Sequence, residues 1–204
     1  GEGVDTSRVV FDKRHPTAVF FKERQAGREP RVYYYRKGSA ASRMSPGDLD
    51  ESYIREARIL HLTGITPALS ESCAATVERA IELAKKHGLL VAFDPNIRLK
   101  LWSREKARRV LMDVASRCDI ILPGLDEGRI LTGERTPEAI AARLLENGAR
   151  AAVVKLGERG AYYATRKESD YVEGYPVEPI VDPIGAGDAF AAGFLSGLLR
   201  GWAD

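Results

Sequence analysis

The sequence predicts an α/β fold with a mostly parallel central sheet that is covered by helices. Two observations carry this prediction. Apolar runs typical of buried strands alternate with amphipathic helical segments through the middle of the chain. Four such strands separated by helices require a parallel sheet, because each helix returns the chain to the same end of the sheet. The 204 residues are enough for one sizeable core, and we expect one or at most two domains.

The N-terminal part is predicted to form a short strand followed by a hairpin. Residues 9–11 (Val-Val-Phe) are the short strand. Residues 17–22 and 31–36 are rich in β-branched and aromatic side chains, and the loop 25–30 between them contains glycine and ends in proline, which predicts a hairpin. Because an isolated hairpin is only marginally stable, we expect this one to belong to a small sheet that other residues complete.

The central strands are predicted at residues 59–62, 89–94, 120–122 and 151–155. The helices between them are predicted at residues 70–87, 103–116 and 136–147. Gly88 ends the first of these helices, and Ser103 and Thr136 are the N-caps of the other two. A short helix over 50–57 precedes the sheet, a loop over 63–67 follows its first strand, and further antiparallel strands are predicted at 160–164 and 177–181. His61 lies in an apolar strand and is expected in the core.

The strongest functional signal is residues 182–190, Asp-Pro-Ile-Gly-Ala-Gly-Asp-Ala-Phe, which stand between a β-prone run and an apolar helix. Gly185 and Gly187 leave the backbone N–H groups accessible, and with the helix N-terminus these form a site for anionic oxygens. Asp188 beside that site suits a base rather than a phosphate ligand, since two anions repel. The alternative is that this stretch only turns the chain into a helix and caps it. One glycine would be enough for that role, whereas the stretch contains two. A G-x-G-x-x-G dinucleotide motif is excluded because its third glycine would fall on Phe190, and no G-x-x-x-x-G-K-[ST] motif occurs.

Polar segments follow the predicted strands at their carboxyl ends, where open α/β sheets bind ligands. They are residues 63–65, 94–98, 123–127 and 155–160. Arg98 is the most informative, because a guanidinium can bind a carboxylate or a phosphate with two hydrogen bonds. A surface salt bridge is the alternative for Arg98, and Asp94 is expected to fix its own loop. Together the segments predict a ligand site on one rim of the sheet.

Composition limits the functional classes. A formal net charge of +2 predicts no nucleic-acid partner. Cys73 and Cys118 are too few for a disulfide framework, which predicts a reducing, cytoplasmic location. No apolar run is long enough to predict a membrane span. The chain does not begin with Met, and it stops four residues after the predicted helix that ends at Arg200, so we expect it to be incomplete at both ends.

On residues 182–194, the sequence resembles the ribokinase-like (PfkB-type) carbohydrate kinases. The resemblance implies a three-layer sandwich with a small β lid over 13–37 and an α/β core over 1–12 and 38–204. It implies ATP and Mg²⁺ as cofactors. It also implies that Gly185, Ala186 and Gly187 form the anion hole for the transferred phosphoryl group and that Asp188 removes the proton from the sugar hydroxyl.

The same resemblance assigns nucleotide binding to Asn96, Lys155, Gly157 and Gly160, and Mg²⁺ handling to Glu127 and Asp182. An ordinary hairpin turn is the alternative for residues 155–160, and a glutamate favoured by the helix dipole is the alternative for Glu127. This chain departs from the family in two places. Gly124 stands where the family has asparagine, and Pro183-Ile184 replaces a stretch that usually contains threonine.

Within the family, residues 33–36, 39–42, 61–69 and 94–98 resemble those of 2-keto-3-deoxygluconate kinases. This implies phosphorylation of a sugar acid at a primary hydroxyl. The implied substrate-binding residues are Phe20 (often Tyr in that subgroup), Tyr34, Arg36, Ile65 and Arg98. Two arginines suit an acidic sugar. A kinase for a neutral ketose or a nucleoside, and a non-catalytic sugar-acid or nucleotide-binding module, remain the alternatives. A homo-oligomer is a further possible assembly.

Overall fold

The chain is described here from a computed structural model, which covers residues 3, 5–23, 31–177, 182 and 184–201. Its first two strands, β1 (Val19–Glu23) and β2 (Arg31–Tyr35), form a separate two-stranded antiparallel sheet. Phe20 pairs with Tyr34 across this sheet. The predicted hairpin is therefore confirmed, while the lid boundaries 13–37 remain a prediction.

The remaining described strands form one six-stranded sheet in simple sequential order. They are β3 (Ile59–Thr63), β4 (Leu90–Asp94), β5 (Ile120–Ile121), β6 (Ala151–Lys155), β7 (Ala161–Thr165) and β8 (Ser169–Val172). Pairing is parallel from β3 to β6 and antiparallel for β7 and β8. The predicted α/β class and mostly parallel sheet are thus confirmed.

Seven α-helices accompany these strands in the described part of the chain. They are α1 (Glu51–Ile54), α2 (Ile65–Leu69), α3 (Glu71–Lys86), α4 (Arg104–Ala115), α5 (Leu125–Thr132), α6 (Pro137–Glu146) and α7 (Ala186–Leu199). Helices α3, α4 and α6 are capped by Ser70, Ser103 and Thr136. Each of these side chains accepts a hydrogen bond from a backbone N–H in the first turn of its helix. None of these helices has the length and hydropathy needed to cross a membrane.

Helices cover both faces of the sheet, which gives three layers. Successive strand residues point to opposite faces, so Val91 and Phe93 pack into a core with α3, α4, α5 and α6. Ala92, between them, packs on the other face with Phe190 and Phe194 of α7. The glycine turn before α7 is therefore held against the sheet by an apolar helix.

Several local predictions are wrong. Residues 9–11 form no strand and are largely exposed, with Phe11 83% accessible, because none of the described strands lies beside them. The predicted loop 63–67 instead enters α2. Pro67 is accommodated there because the N–H groups of a first helical turn need no helical acceptor. His61 is exposed rather than buried, since β3 is an edge strand among the described residues.

The predicted strand at 177–181 falls mostly outside the described residues. Val177 is described and lies in no strand, while residues 178–181 are not covered. Besides α2, β8 and most of α5 were also not predicted from the sequence.

Candidate active site

The glycine turn ends in a helix N-terminus with accessible N–H groups. Gly185 is the N-cap of α7. Its φ of +86° is a left-handed backbone conformation that residues other than glycine rarely adopt. The first helical bond runs from Ala189 N to Gly185 O (2.8 Å). The N–H groups of Ala186, Gly187 and Asp188 therefore have no acceptor within the helix. Asp188 itself is exposed in the first turn.

A buried ion pair lies next to this turn. Lys155, at the carboxyl end of β6, donates to the Asp94 carboxylate at the end of β4, with Nζ 2.6 Å from Oδ2. The side chains of Lys155 and Asp94 are only 17% and 6% exposed. A Cβ placed on Gly187 would lie 3.7 Å from Lys155 Nζ, so the ammonium also faces the start of α7. A cation and a helix N-terminus thus converge, an arrangement that attracts anions.

A cleft of about 900 Å³, here named the glycine cleft, opens at this point. Its described lining residues include Lys155, Gly157, Gly160, Asp182, Ala186, Gly187 and Phe190. Gly160 could not carry a side chain, because a Cβ would lie 1.9 Å from the Val172 carbonyl oxygen. The structure therefore brings the residues 155–160 and the glycine turn together. Asp188 follows Gly187 on α7 and is not itself among the described lining residues.

Glu127 fixes two loops beside the ion pair. Its Oε2 accepts from Gly124 N and its Oε1 from Ile97 N, both at 2.8 Å. Burial raises the pKa of Glu127, and the neighbouring Asp94 carboxylate raises this pKa further. Asp94 Oδ1 also accepts from Asn96 N at 3.2 Å. Two carboxylates thus hold the loop that leads to Arg98.

The described residues offer no protein cage for Mg²⁺. No group of three or more His, Cys, Asp or Glu side chains among them could hold a metal ion. Gly124 contributes no side-chain oxygen where the family has asparagine. Each Glu127 oxygen accepts one backbone bond and keeps acceptor capacity for a second partner. These features fit a Mg²⁺ that arrives on nucleotide phosphates and keeps several waters.

A second cavity, of about 990 Å³, lies between the hairpin and the loop after β4, and is here named the hairpin cavity. Its described lining includes Tyr34, Arg36, Lys37, Arg98 and Lys100, hence four basic residues and no acidic one. Asn96 is not among these lining residues, and neither are Phe20 and Ile65. The structure therefore brings three of the five predicted substrate residues, Tyr34, Arg36 and Arg98, to one place.

The hairpin residues of this cavity support one another. The Arg36 guanidinium stacks over the Tyr34 ring at 3.9 Å from its centroid. The ring of Phe20 lies 5.9 Å from that of Tyr34, centroid to centroid. Phe20 thus contributes by packing on Tyr34 from the neighbouring strand, and Ile65 begins α2.

One contact between the hairpin and the glycine turn was not predicted. Lys22 of β1 pairs with Asp182, with Nζ 2.5 Å from Oδ1. The Lys22 side chain is 14% exposed, and Asp182 Oδ1 also accepts from Ile184 N at 3.0 Å. No sequence signal joins two residues that are 160 positions apart, and only the folded arrangement reveals the pair.

The pfkB family carbohydrate kinase profile matches residues 1–204. The chain belongs to this family. It is 40% identical over 202 residues to the 2-dehydro-3-deoxygluconokinase of Bacillus subtilis (strain 168), and 41% identical over 206 residues to that of Thermoproteus tenax. It is 34% identical over 199 residues to fructokinase-2 of Solanum lycopersicum, covering 97% of this chain and 60% of that protein. The first two matches cover 98% of this chain but 62% of each relative.

Solved structures agree with the family assignment. The PfkB protein from Polaromonas sp. JS666 superposes with a TM-score of 0.89 at 44% identity, over 98% of this chain and 65% of that one. A ribokinase II candidate from E. coli, solved in complex with ATP and Mg²⁺, gives a TM-score of 0.77 at 32% identity, over 85% of this chain and 56% of that one. The fold is therefore ribokinase-like, as predicted.

Proposed function

We propose that the protein transfers the γ-phosphoryl group of ATP to a primary hydroxyl of a ketodeoxy sugar acid, with 2-keto-3-deoxygluconate as the first candidate. The hairpin cavity carries this proposal, because Arg36 and Arg98 converge there with Lys37 and Lys100 and no described acidic residue lines it. Neither arginine has a carboxylate partner among the described residues. A substrate carboxylate would supply the missing counter-charge.

Asp188 is the proposed general base. Its carboxylate would take the proton of the substrate hydroxyl as that oxygen forms its bond to the γ-phosphorus, and ADP would leave. The N–H groups of Gly185, Ala186 and Gly187 are the proposed donors to the transferring phosphoryl oxygens. Lys155 adds a positive charge beside Gly187, which supports an anion there.

The nucleotide is proposed to occupy the glycine cleft along Lys155, Gly157 and Gly160, with Asn96 close to the ion pair through Asp94. Mg²⁺ bound with ATP would neutralise phosphate charge, and Glu127 and Asp182 are the carboxylates proposed to hold it through water. Two buried free cysteines support the proposed cytoplasmic location.

A kinase for a neutral ketose is the second candidate, favoured by the 34% identity to a plant fructokinase. A substrate panel on the full-length protein separates the two. With Mg²⁺ and ATP, we expect kcat/KM for 2-keto-3-deoxygluconate to exceed that for fructose by at least about tenfold, because a charged hydrogen bond contributes roughly 1.5–3 kcal/mol. A preference for fructose would overturn the sugar-acid assignment, and no phosphorylation of any sugar would overturn the kinase assignment.

A further inference from the structure

The Asp94 carboxylate is hydrogen-bonded to Lys155 and to the loop that follows β4. Oδ2 accepts from Lys155, which lines the glycine cleft, at 2.6 Å. Oδ1 accepts from Asn96 N at 3.2 Å, one residue before Ile97, which lines the hairpin cavity. One side chain is therefore hydrogen-bonded both to a residue that lines the glycine cleft and to the loop that enters the hairpin cavity one residue later.

This carboxylate is costly to bury alone. Asp94 is 4% exposed, and a buried charge is tolerated when it is paired and hydrogen-bonded. Lys155 is its one ion-pair partner among the described residues. The position of the Lys155 ammonium therefore affects how firmly Asp94 is held. It also affects the loop after β4, because Asp94 is hydrogen-bonded to Asn96 in that loop.

That loop needs support. Asn96 has φ +37°, the one positive φ of a non-glycine residue in the described chain, which is a sparsely populated conformation. Asp94 bonds Asn96 N, and Glu127 bonds Ile97 N at 2.8 Å. Arg98 follows directly, so these two carboxylates set the start of the segment that carries its guanidinium.

We propose that Asp94 is a positioning residue that couples the occupancy of the two cavities. This inference rests on the proposed function. An anion in the glycine cleft fixes Lys155, Lys155 fixes Asp94, and Asp94 orders the loop from Asn96 to Arg98. A carboxylate in the hairpin cavity then binds a preformed Arg98. By reciprocity, the sugar acid raises the affinity for the nucleotide by the same factor.

The test is calorimetric titration of the full-length protein with 2-keto-3-deoxygluconate, with and without saturating Mg²⁺ and the non-hydrolysable ATP analogue AMP-PNP. In the wild type we expect the nucleotide to tighten sugar-acid binding about fivefold or more, the lower end of typical coupling. Asp94→Asn keeps the size and the acceptor for Asn96 N but removes the ion pair, so the two affinities should become nearly equal.

Asp119→Asn is the matched control. Asp119 also bonds a β4 backbone N–H, with Oδ2 2.9 Å from Val91 N, but it lies at the opposite end of that strand. In Asp119→Asn, AMP-PNP should tighten sugar-acid binding by the same factor as in the wild type. Retained coupling in Asp94→Asn overturns the proposal. If Asp94→Asn does not fold, the hydrogen-exchange measurement on the wild type, described next, decides.

Hydrogen–deuterium exchange on the wild type gives a second test that depends on no variant. AMP-PNP alone should slow exchange at the amides of Asn96 and Ile97, although Ile97 lines the other cavity. Unchanged exchange there, or binding of both ligands without coupling, overturns the inference and leaves the proposed function intact. Failure of the wild type to bind either ligand overturns both.

Discussion

Asp188 stands in the first turn of α7, beside N–H groups that have no helical acceptor. A carboxylate there is favoured by the helix dipole, which contributes typically 0.3–1 kcal/mol, so its presence alone does not require catalysis. The functional interpretation depends on its neighbours. Gly187 and Phe190, on either side of it, line the glycine cleft, and Lys155 faces Gly187.

We predict that Asp188→Asn lowers kcat by about 10²- to 10⁴-fold, the usual contribution of a general base, with little change in sugar and ATP affinity. Asp126→Asn is the matched control, because Asp126 is also a first-turn helical carboxylate and its side chain is 88% exposed. Steady-state kinetics and direct binding measure the two effects. Turnover within a few-fold of the wild type in Asp188→Asn would rule out the base assignment.

A second single residue, Glu127, is expected to affect the stability of the fold rather than catalysis. Its folded-state pKa is raised, so the stability it contributes is fully present below the unfolded pKa and is lost as pH rises through the folded value. The groups facing it are Asp94 and Lys155. We predict that the free energy of unfolding of the wild type, relative to Glu127→Gln, falls as pH rises above about 4.5, the ordinary pKa of a glutamate.

Urea unfolding of both proteins across pH 4–7 without Mg²⁺ measures this difference. The pH slope, rather than the size of the difference, carries the prediction, because glutamine also changes the acceptors for Gly124 N and Ile97 N. A difference that is constant or rises with pH would contradict it.

Among secondary-structure elements, the β1–β2 hairpin is the one whose position matters most for the proposed activity. Its described residues, 19–23 and 31–35, place no side chain in either apolar core of the sheet, and Phe20, Phe21 and Tyr35 are more than half exposed. Its ion pair with the glycine turn, Lys22 with Asp182, therefore carries weight in holding it near the sheet.

We predict that Lys22→Met raises KM for the sugar acid by up to about fivefold and speeds hydrogen exchange of β1, because an incompletely buried ion pair contributes up to about 1 kcal/mol. A double-mutant cycle with Asp182→Asn identifies the partner. In the Asp182→Asn background, Lys22→Met should have no further effect on KM. Additive effects would show that Lys22 acts elsewhere.

At the scale of the whole molecule, the sequence predicted the parallel sheet well because its strands are continuous apolar runs between capped helices. It could not predict β8, whose four residues Ser169–Val172 are all exposed on the edge of the sheet. It also missed most of α5 (Leu125–Thr132), whose N-cap is Gly124 and therefore offers no capping side chain. Exposed edge strands, and helices whose N-cap residue has no polar side chain, lack the local signals that pattern analysis uses.

The candidate site likewise contains some features that the sequence could predict and others that it could not. Strand-end polar segments and the glycine turn are local features, so the sequence indicated them. The pair of Asp94 with Lys155 joins the ends of β4 and β6, which lie on either side of β5, and no local pattern encodes that strand order. The pair of Lys22 with Asp182 depends on how the hairpin meets the turn.

Arg98 tests the molecule as a whole, because the hairpin cavity exists only where β2 meets the loop after β4. We predict that Arg98→Ala raises KM for 2-keto-3-deoxygluconate by about 10- to 150-fold, since a charged hydrogen bond contributes roughly 1.5–3 kcal/mol and 1.4 kcal/mol is one decade. A neutral ketose or the lactone has no carboxylate to lose, so its kcat/KM should change far less. Arg109 is an exposed arginine on α4. Arg109→Ala should leave kcat/KM unchanged for both the acid and the neutral substrate. An equal loss of kcat/KM on acid and neutral substrates would instead assign Arg98 to the ATP phosphates, and the sugar-acid proposal would lose its physical basis.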